Sequence, residues 1–443
     1  MSREAIDYVL SDFESLSKSD KTDWFGKHRR SAIDAFKQNG YPTTRQEDWK
    51  YTDVKQIARQ SFSASQIGNA NLSTEELNQI RFNELNCIEL VFLNGVYSTD
   101  LSNLDKLPKE VVICDLATAF SEHRELLEAT LQKSESANGA FTALNTAFIQ
   151  HGVLIYIPQN VKLEQPVNLL FIAKQQDQSF AAHLRNIVMM EDNSELTLIE
   201  SFIGLDDAQY FTNVVTDVEL HQNARLEHYK LQQESMHAYH VGNFRVTQKK
   251  DSYLETHSIA LGAALARSDI HSQLDDNGAT IVMNGLYMPG NRQHVDNHTR
   301  VDHLKPHTYS TENYRGVLSD RSRAVFNGKV IVHKDAQKIE AHQNNANLLL
   351  SDDAEIDTKP ELEIYADDVK CSHGATIGQL DKDMLFYLRS RAIDEETARS
   401  LLTFAFAEEV ISKIGLTAIR NRLEYLVVGQ LPDADLIREF TNE

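Results

Sequence analysis

Cysteine is scarce in this chain: three residues in 443, at positions 87, 114 and 371, with no Cys-x-x-Cys pair among them. An odd, widely spaced set builds no disulfide framework and suits a reducing compartment, so the chain reads as cytoplasmic. Long apolar runs are missing too. No window reaches the roughly 18 uninterrupted apolar residues of a membrane span, and the opening Met1-Ser2-Arg3-Glu4-Ala5-Ile6 has no basic leader followed by an apolar stretch. Positive charge is in deficit, with 44 lysines and arginines against 65 aspartates and glutamates, a net charge of −21. Such a surface repels phosphate backbones, which argues against nucleic-acid binding. Nucleotide signatures are also lacking. Gly328-Lys329-Val330 resembles the end of a phosphate loop, but Arg323 stands where its first glycine belongs and Val330 where Ser or Thr would hold magnesium. No Gly-x-Gly-x-x-Gly run marks a dinucleotide site. If ATP drives this system, another chain binds it.

What is present is an ordinary globular composition, 41% hydrophobic and 25% charged, long enough for two or three domains. The spacing of Ile6, Val9, Leu10 and Phe13 predicts a helical start to the chain, broken at Gly40-Tyr41-Pro42. Short strands are expected over 87–97 and 111–116, then helix to about 150, making residues 1–150 a mixed entry region. Over 151–382 the texture changes to short apolar or alternating runs between polar corners. The corners repeat one form: Asn193-Ser194-Glu195-Leu196, Asn223-Ala224-Arg225-Leu226, Asp251-Ser252-Tyr253-Leu254 and Asp353-Ala354-Glu355-Ile356, with Asp335-Ala336-Gln337-Lys338-Ile339 as a longer variant. Several of them recur at a near-constant interval, which predicts stacked coils, a parallel β-helix, in preference to a sandwich or barrel. Asp276-Asn277-Gly278 is the one hairpin-like signal against it. Residues 383–443 return to helix, with Asp394 as a cap and apolar residues on more than one face, which fits either burial against the solenoid or docking to a partner.

Three groups of residues carry candidate chemistry. Cys371 and His373 sit two apart in a strand-like run, so both side chains share one face with Cα atoms about 6.5 Å apart. A thiolate and an imidazole there can contact one metal or cluster. Val369, Ala375 and Ile377 fall on the same face, however, which equally describes a packed core row, and two ligands are too few for a closed four-coordinate site. His294, His298, His303 and His307 cluster without a recognised metal spacing. Asp275-Asp276, Asp352-Asp353 and Asp367-Asp368 are paired acids of the kind that polysaccharide-cleaving β-helix enzymes group on one face, but adjacent strand residues point oppositely. A solitary carbohydrate-active enzyme is the competing reading.

Residues 313–409 resemble the shared core of the SufB/SufD family, scaffold subunits of iron–sulfur cluster assembly. The likeness rests on Tyr314-Arg315-Gly316-Val317-Leu318, Ala324-Val325-Phe326-Asn327-Gly328, the run from His342 to Ser351, Lys359-Pro360-Glu361-Leu362-Glu363-Ile364, Cys371-Ser372-His373-Gly374-Ala375-Thr376 and Phe386-Tyr387-Leu388-Arg389-Ser390-Arg391. Gly374, the N-terminal run from Arg45 to Thr52 and the absence of cysteine before Cys87 place it nearer the SufD-like branch. Ala392 departs from the family, where Gly commonly follows Arg391. The resemblance implies a mainly β fold, a right-handed parallel β-helix between helical end regions. It implies a non-enzymatic scaffold that pairs with a SufB-like paralogue or with itself and binds a SufC-like ABC-type ATPase through its C-terminal helices. It also makes His373 and Cys371 the expected functional and metal-contacting residues. No cofactor is expected to bind tightly; a transient iron–sulfur cluster would form at the interface, with partner thiolates completing its ligands.

Overall fold

The computed structural model of the chain describes residues 3–17, 23–64, 72–105, 107–134, 139–432 and 434. Sixteen strands, from His151–Ile157 to Val369–Gly378, alternate between two sheets, so two strands make one coil and eight coils make the solenoid. Among the sixteen, neighbouring strands within each sheet are parallel. Tyr253 pairs with Thr280 and Tyr309 with Glu340, so the coil lengthens slightly along the middle of the solenoid. Between the sheets lies a continuous apolar core in which Leu196, Leu226, Leu254 and Ile281 from one sheet meet Val188, Val218, Phe244 and Ile270 from the other. The sandwich and barrel alternatives fall away, because every pairing between these sixteen strands is to the coil before or after.

The repeated corner has a physical reason. Asn193, Asn223 and Asp251 adopt φ of 58°, 56° and 54°, the left-handed region that Asn and Asp tolerate better than other non-glycine residues. The next residue points into the coil with no room for bulk, so Ser194, Ala224 and Ser252 are buried. Side chains then ladder along the corner, with Asn223 Nδ2 donating to Asn193 Oδ1 at 2.9 Å and Asn193 Nδ2 to Asn160 Oδ1 at 2.9 Å. Two corners differ. No left-handed residue occurs at Asp353, and in the longer variant the left-handed residue is Lys338 rather than Asp335. Asp276-Asn277-Gly278 is a corner, not a hairpin: its flanking strands lie in different sheets, and Gly278 takes φ of 75° where an added Cβ would meet Asp251 Oδ1 at 2.1 Å.

Each outer face of the solenoid carries its own helical cover. Helices Arg3–Ser17, Asp23–Asn39 and Ala140–Phe148 place Phe13, Ile33, Phe36 and Phe141 against Phe211, Tyr239 and Val241 of one sheet. The Arg45–Thr52 segment is fixed to the same face, since Arg267 stacks 3.8 Å from the Trp49 ring centroid and donates to the Asp48 carbonyl, while Thr52 Oγ1 donates to Asp296. Helices Glu395–Ile411 and Thr417–Gly429 cover the other sheet, packing Ala407, Val410, Ile411, Leu423 and Val427 on Ile199, Tyr229, Ile259 and Leu286. Arg315 pairs with Glu409 and lies over the Phe406 ring, which pins the first of these helices to strand Tyr309–Leu318. Much of the apolar surface left undecided by the sequence is thus buried against the solenoid wall. Ala392 keeps a left-handed turn, φ 66°, before that helix although it is not glycine.

Candidate functional site

The two ends of the solenoid are built differently. At the first coil, Val112–Asp115 adds antiparallel to His151–Ile157, and Ile88–Leu93 adds to Val167–Ala173. At the last coil, among the described residues, no strand pairs with the outer edge of Glu355–Ile364 or Val369–Gly378, so each is paired on one side only. Their inward rows are consequently open at one end. Ile364, Tyr365 and Ile377 are 41%, 61% and 50% exposed, and the next helix, Lys382–Ser390, buries none of its residues and exposes Met384, Phe386 and Tyr387.

Cys371 and His373 lie in this last strand, as register partners of Ala341 and Gln343, and therefore on the inward face. The same-face reading holds, and the packed-row reading fails for His373, which is exposed because no further coil covers it. Cys371 is half-buried beside Ile339, Ala341 and Ala366. Burial pushes its thiol up from 9, and the Ala341 amide offsets this only in part. An isolated Cys371 is accordingly a neutral thiol at neutral pH, and a bound metal or an added positive charge is needed to make it a ligand or nucleophile. Cys87 and Cys114 are further from that role, their thiols pushed up by burial and nearby carboxylates to about 11 and about 12.

The other candidates do not converge. His294 Nε2 lies 2.8 Å from Thr52 Oγ1, His298 Nε2 lies 3.0 Å from Asp296 Oδ1, and His303 is buried between the hydroxyls of Thr308 and Ser310. Burial lowers the His303 imidazole to about 4, so it stays neutral. His307 is a left-handed corner residue. Among the described residues no group of three or more His, Cys, Asp or Glu could hold a metal ion. The paired acids serve corners: Asp275 pairs with Lys249 at 2.7 Å, Asp353 with Arg321 at 3.1 Å, and the Asp368 amide donates to Gln337.

Two arrangements near Cys371 were not foreseen. On the outward face His342 bridges Ser372 at 2.7 Å and Glu340 at 3.1 Å. On the inward face Gln343 Nε2 donates to the buried Glu312 carboxylate at 2.6 Å. An offset of one coil from His373 would have found Gln343.

The chain is thus a β-solenoid protein with a helical cover on each face and a Cys-x-His strand in its last coil. The chain matches the family model "SUF system FeS cluster assembly, SufBD core domain" over residues 171–406 and "SufBD protein N-terminal region" over 6–169. It belongs to the SufBD family of iron–sulfur cluster assembly proteins. It is 32% identical to an iron–sulfur cluster assembly SufBD family protein of Synechocystis, over 90% of this chain and 89% of that one. It is 31% identical to the iron–sulfur cluster assembly protein SufD of Escherichia coli, over 89% and 90%. With the chloroplastic protein ABCI7 of Arabidopsis thaliana it shares 30% identity over 91% and 85%. Among the described residues no helix is long and apolar enough to cross a membrane.

Proposed function

We propose that the chain is a SufD-like scaffold subunit without catalytic turnover of its own, which pairs with a SufB-like paralogue and a SufC-like ATPase to build and deliver nascent iron–sulfur clusters. The observation that carries this reading is the uncapped last coil, where His373 is exposed beside Cys371 within an apolar rim. The cluster is cargo here. His373 serves as ligand or proton partner, Cys371 as a thiolate once iron is present, and the second chain supplies the remaining ligands. Helices Glu395–Ile411 and Thr417–Gly429 are the proposed ATPase contact, through their solvent side, where Tyr425 is 55% exposed. Movement of the ATPase would be felt at the open end through the Arg315–Glu409 pair and the solenoid wall.

The test is a His373→Ala chain co-expressed with its partners and purified without oxygen. The complex should assemble with unchanged stoichiometry and lose most of its iron and sulfide. A normal cluster yield from that complex would remove His373 from the site. Recovery of the wild-type chain alone and metal-free from its own lysate would count against the scaffold reading.

A further inference from the structure

Glu312, Gln343 and His373 occupy one position in three successive coils. Glu312 is the register partner of Gln343, and Gln343 of His373, so the three side chains rise in a column on the inward face at the strand spacing of about 4.8 Å. Glu312 and Gln343 are 3% exposed each. The orientation of the Gln343 amide is set from below and from across the core. Its Nε2 donates to Glu312 Oε2 at 2.6 Å, which commits the nitrogen end downward. Opposite, Gly328 leaves the space the amide fills: a Cβ on residue 328 would lie 1.9 Å from Gln343 Nε2. The carbonyl end is left over. Gln343 Oε1 is buried and accepts no hydrogen bond, an expensive state for an amide oxygen.

We infer that Gln343 is a positioning residue for His373: its side-chain oxygen, without a partner in this structure, is the acceptor for the N–H of one ring nitrogen once the exposed imidazole turns inward, which presents the lone pair of the other nitrogen to the open end. Glu312 and Gly328 act through Gln343 by holding its amide in place. This rests on His373 being a metal contact. It adds what a metal-binding histidine ordinarily has, an acceptor on its second nitrogen that fixes tautomer and ring orientation. It also gives the Asn327-Gly328 and His342-Gln343 segments a shared purpose that neither strand alone reveals.

The full chain, with isotope-labelled histidine, reports the tautomer of His373 through its ring-nitrogen NMR shifts, the signal being assigned by its loss in His373→Ala. In the wild type His373 is expected in one tautomer. Gln343→Leu should convert it to the mixture of a free imidazole, and Gly328→Ala should do the same without removing any polar group. Gln343→Glu keeps an acceptor and should restore the single tautomer. A wild-type His373 that already shows the free-imidazole mixture overturns the inference, whatever the variants do. In the anaerobic complex supplied with ferrous iron, Gln343→Leu should weaken iron retention about 10- to 100-fold, the usual effect of losing such a partner. Normal cluster yield from His373→Ala, with the tautomer still fixed, would instead fail the ligand reading and leave the positioning geometry standing.

Discussion

Burial inside the solenoid pushes the Glu312 carboxyl from 4.5 up to about 7, with the hydrogen bond from Gln343 offsetting only part of that penalty. A carboxyl raised in the folded state binds its proton more tightly there than in the unfolded chain. Its contribution is therefore most favourable below pH 4.5 and is lost as pH rises through 7, when the fold must carry a buried charge at a cost of about 3 kcal/mol. Glu312→Gln preserves an acceptor for Gln343 and cannot ionise. Urea midpoints should show the variant more stable than wild type by up to about 3 kcal/mol at pH 8, with the gap closing toward pH 5. A gap that does not change with pH would mean that Glu312 ionises freely. This property was not legible in the sequence, where Glu312 is one acid among 65. Its inward direction needs only strand alternation, but its burial depends on Gln343 and Gly328 arriving from two other strands. Cys371 and His373 were legible because period two alone puts them on one face. Their exposure was not, since it follows from the solenoid stopping there.

At the scale of the coil, the corner does two jobs that substitutions separate. Asn223 supplies a left-handed φ of 56° and a ladder amide to Asn193. Asn223→Ala loses both the ladder amide and the local polar side chain that lets asparagine tolerate the left-handed region, and should cost about 1–2 kcal/mol. Asn223→Gly keeps the backbone and loses only the ladder, so it should fall well short of the alanine variant in its loss of denaturation midpoint. Equal losses would place the corner's stability in the amide ladder instead. The corners at Asn193, Asn223 and Asp251 were the most legible part of the fold, because a positive φ, a buried small residue and an inward aliphatic leave a fixed residue order there. The helical covers were less legible. Helix Glu395–Ile411 is apolar over several faces, and periodicity does not say that Val410 and Ile411 meet the solenoid wall while Phe406 lies under Arg315. Ala392 takes a left-handed φ of 66° just before the helix, at the expense of local strain.

For the whole molecule the decisive asymmetry is between a first coil closed by added strands and a last coil left with two unpaired edges. An edge that also exposes Tyr365, Ile377 and Phe386 would drive self-association unless a specific chain covers it. Covering Phe386, 74% exposed, is alone worth roughly 1.5–3 kcal/mol, and the pairing of an edge strand adds direction to that gain. The scaffold proposal assigns the cover to a SufB-like paralogue, which places the partner against His373. Phe386→Asp combined with Ile377→Asp touches neither the interior core nor the helical covers, so the chain should fold as before. Its association with the paralogue, followed by sedimentation, should weaken at least tenfold, about 1.4 kcal/mol, and cluster yield should fall with it. If the doubly substituted chain still assembles at wild-type affinity, the open end is not the interface. Weakened assembly with unchanged iron and sulfide per complex would instead separate docking from cluster building and move the site away from the last coil.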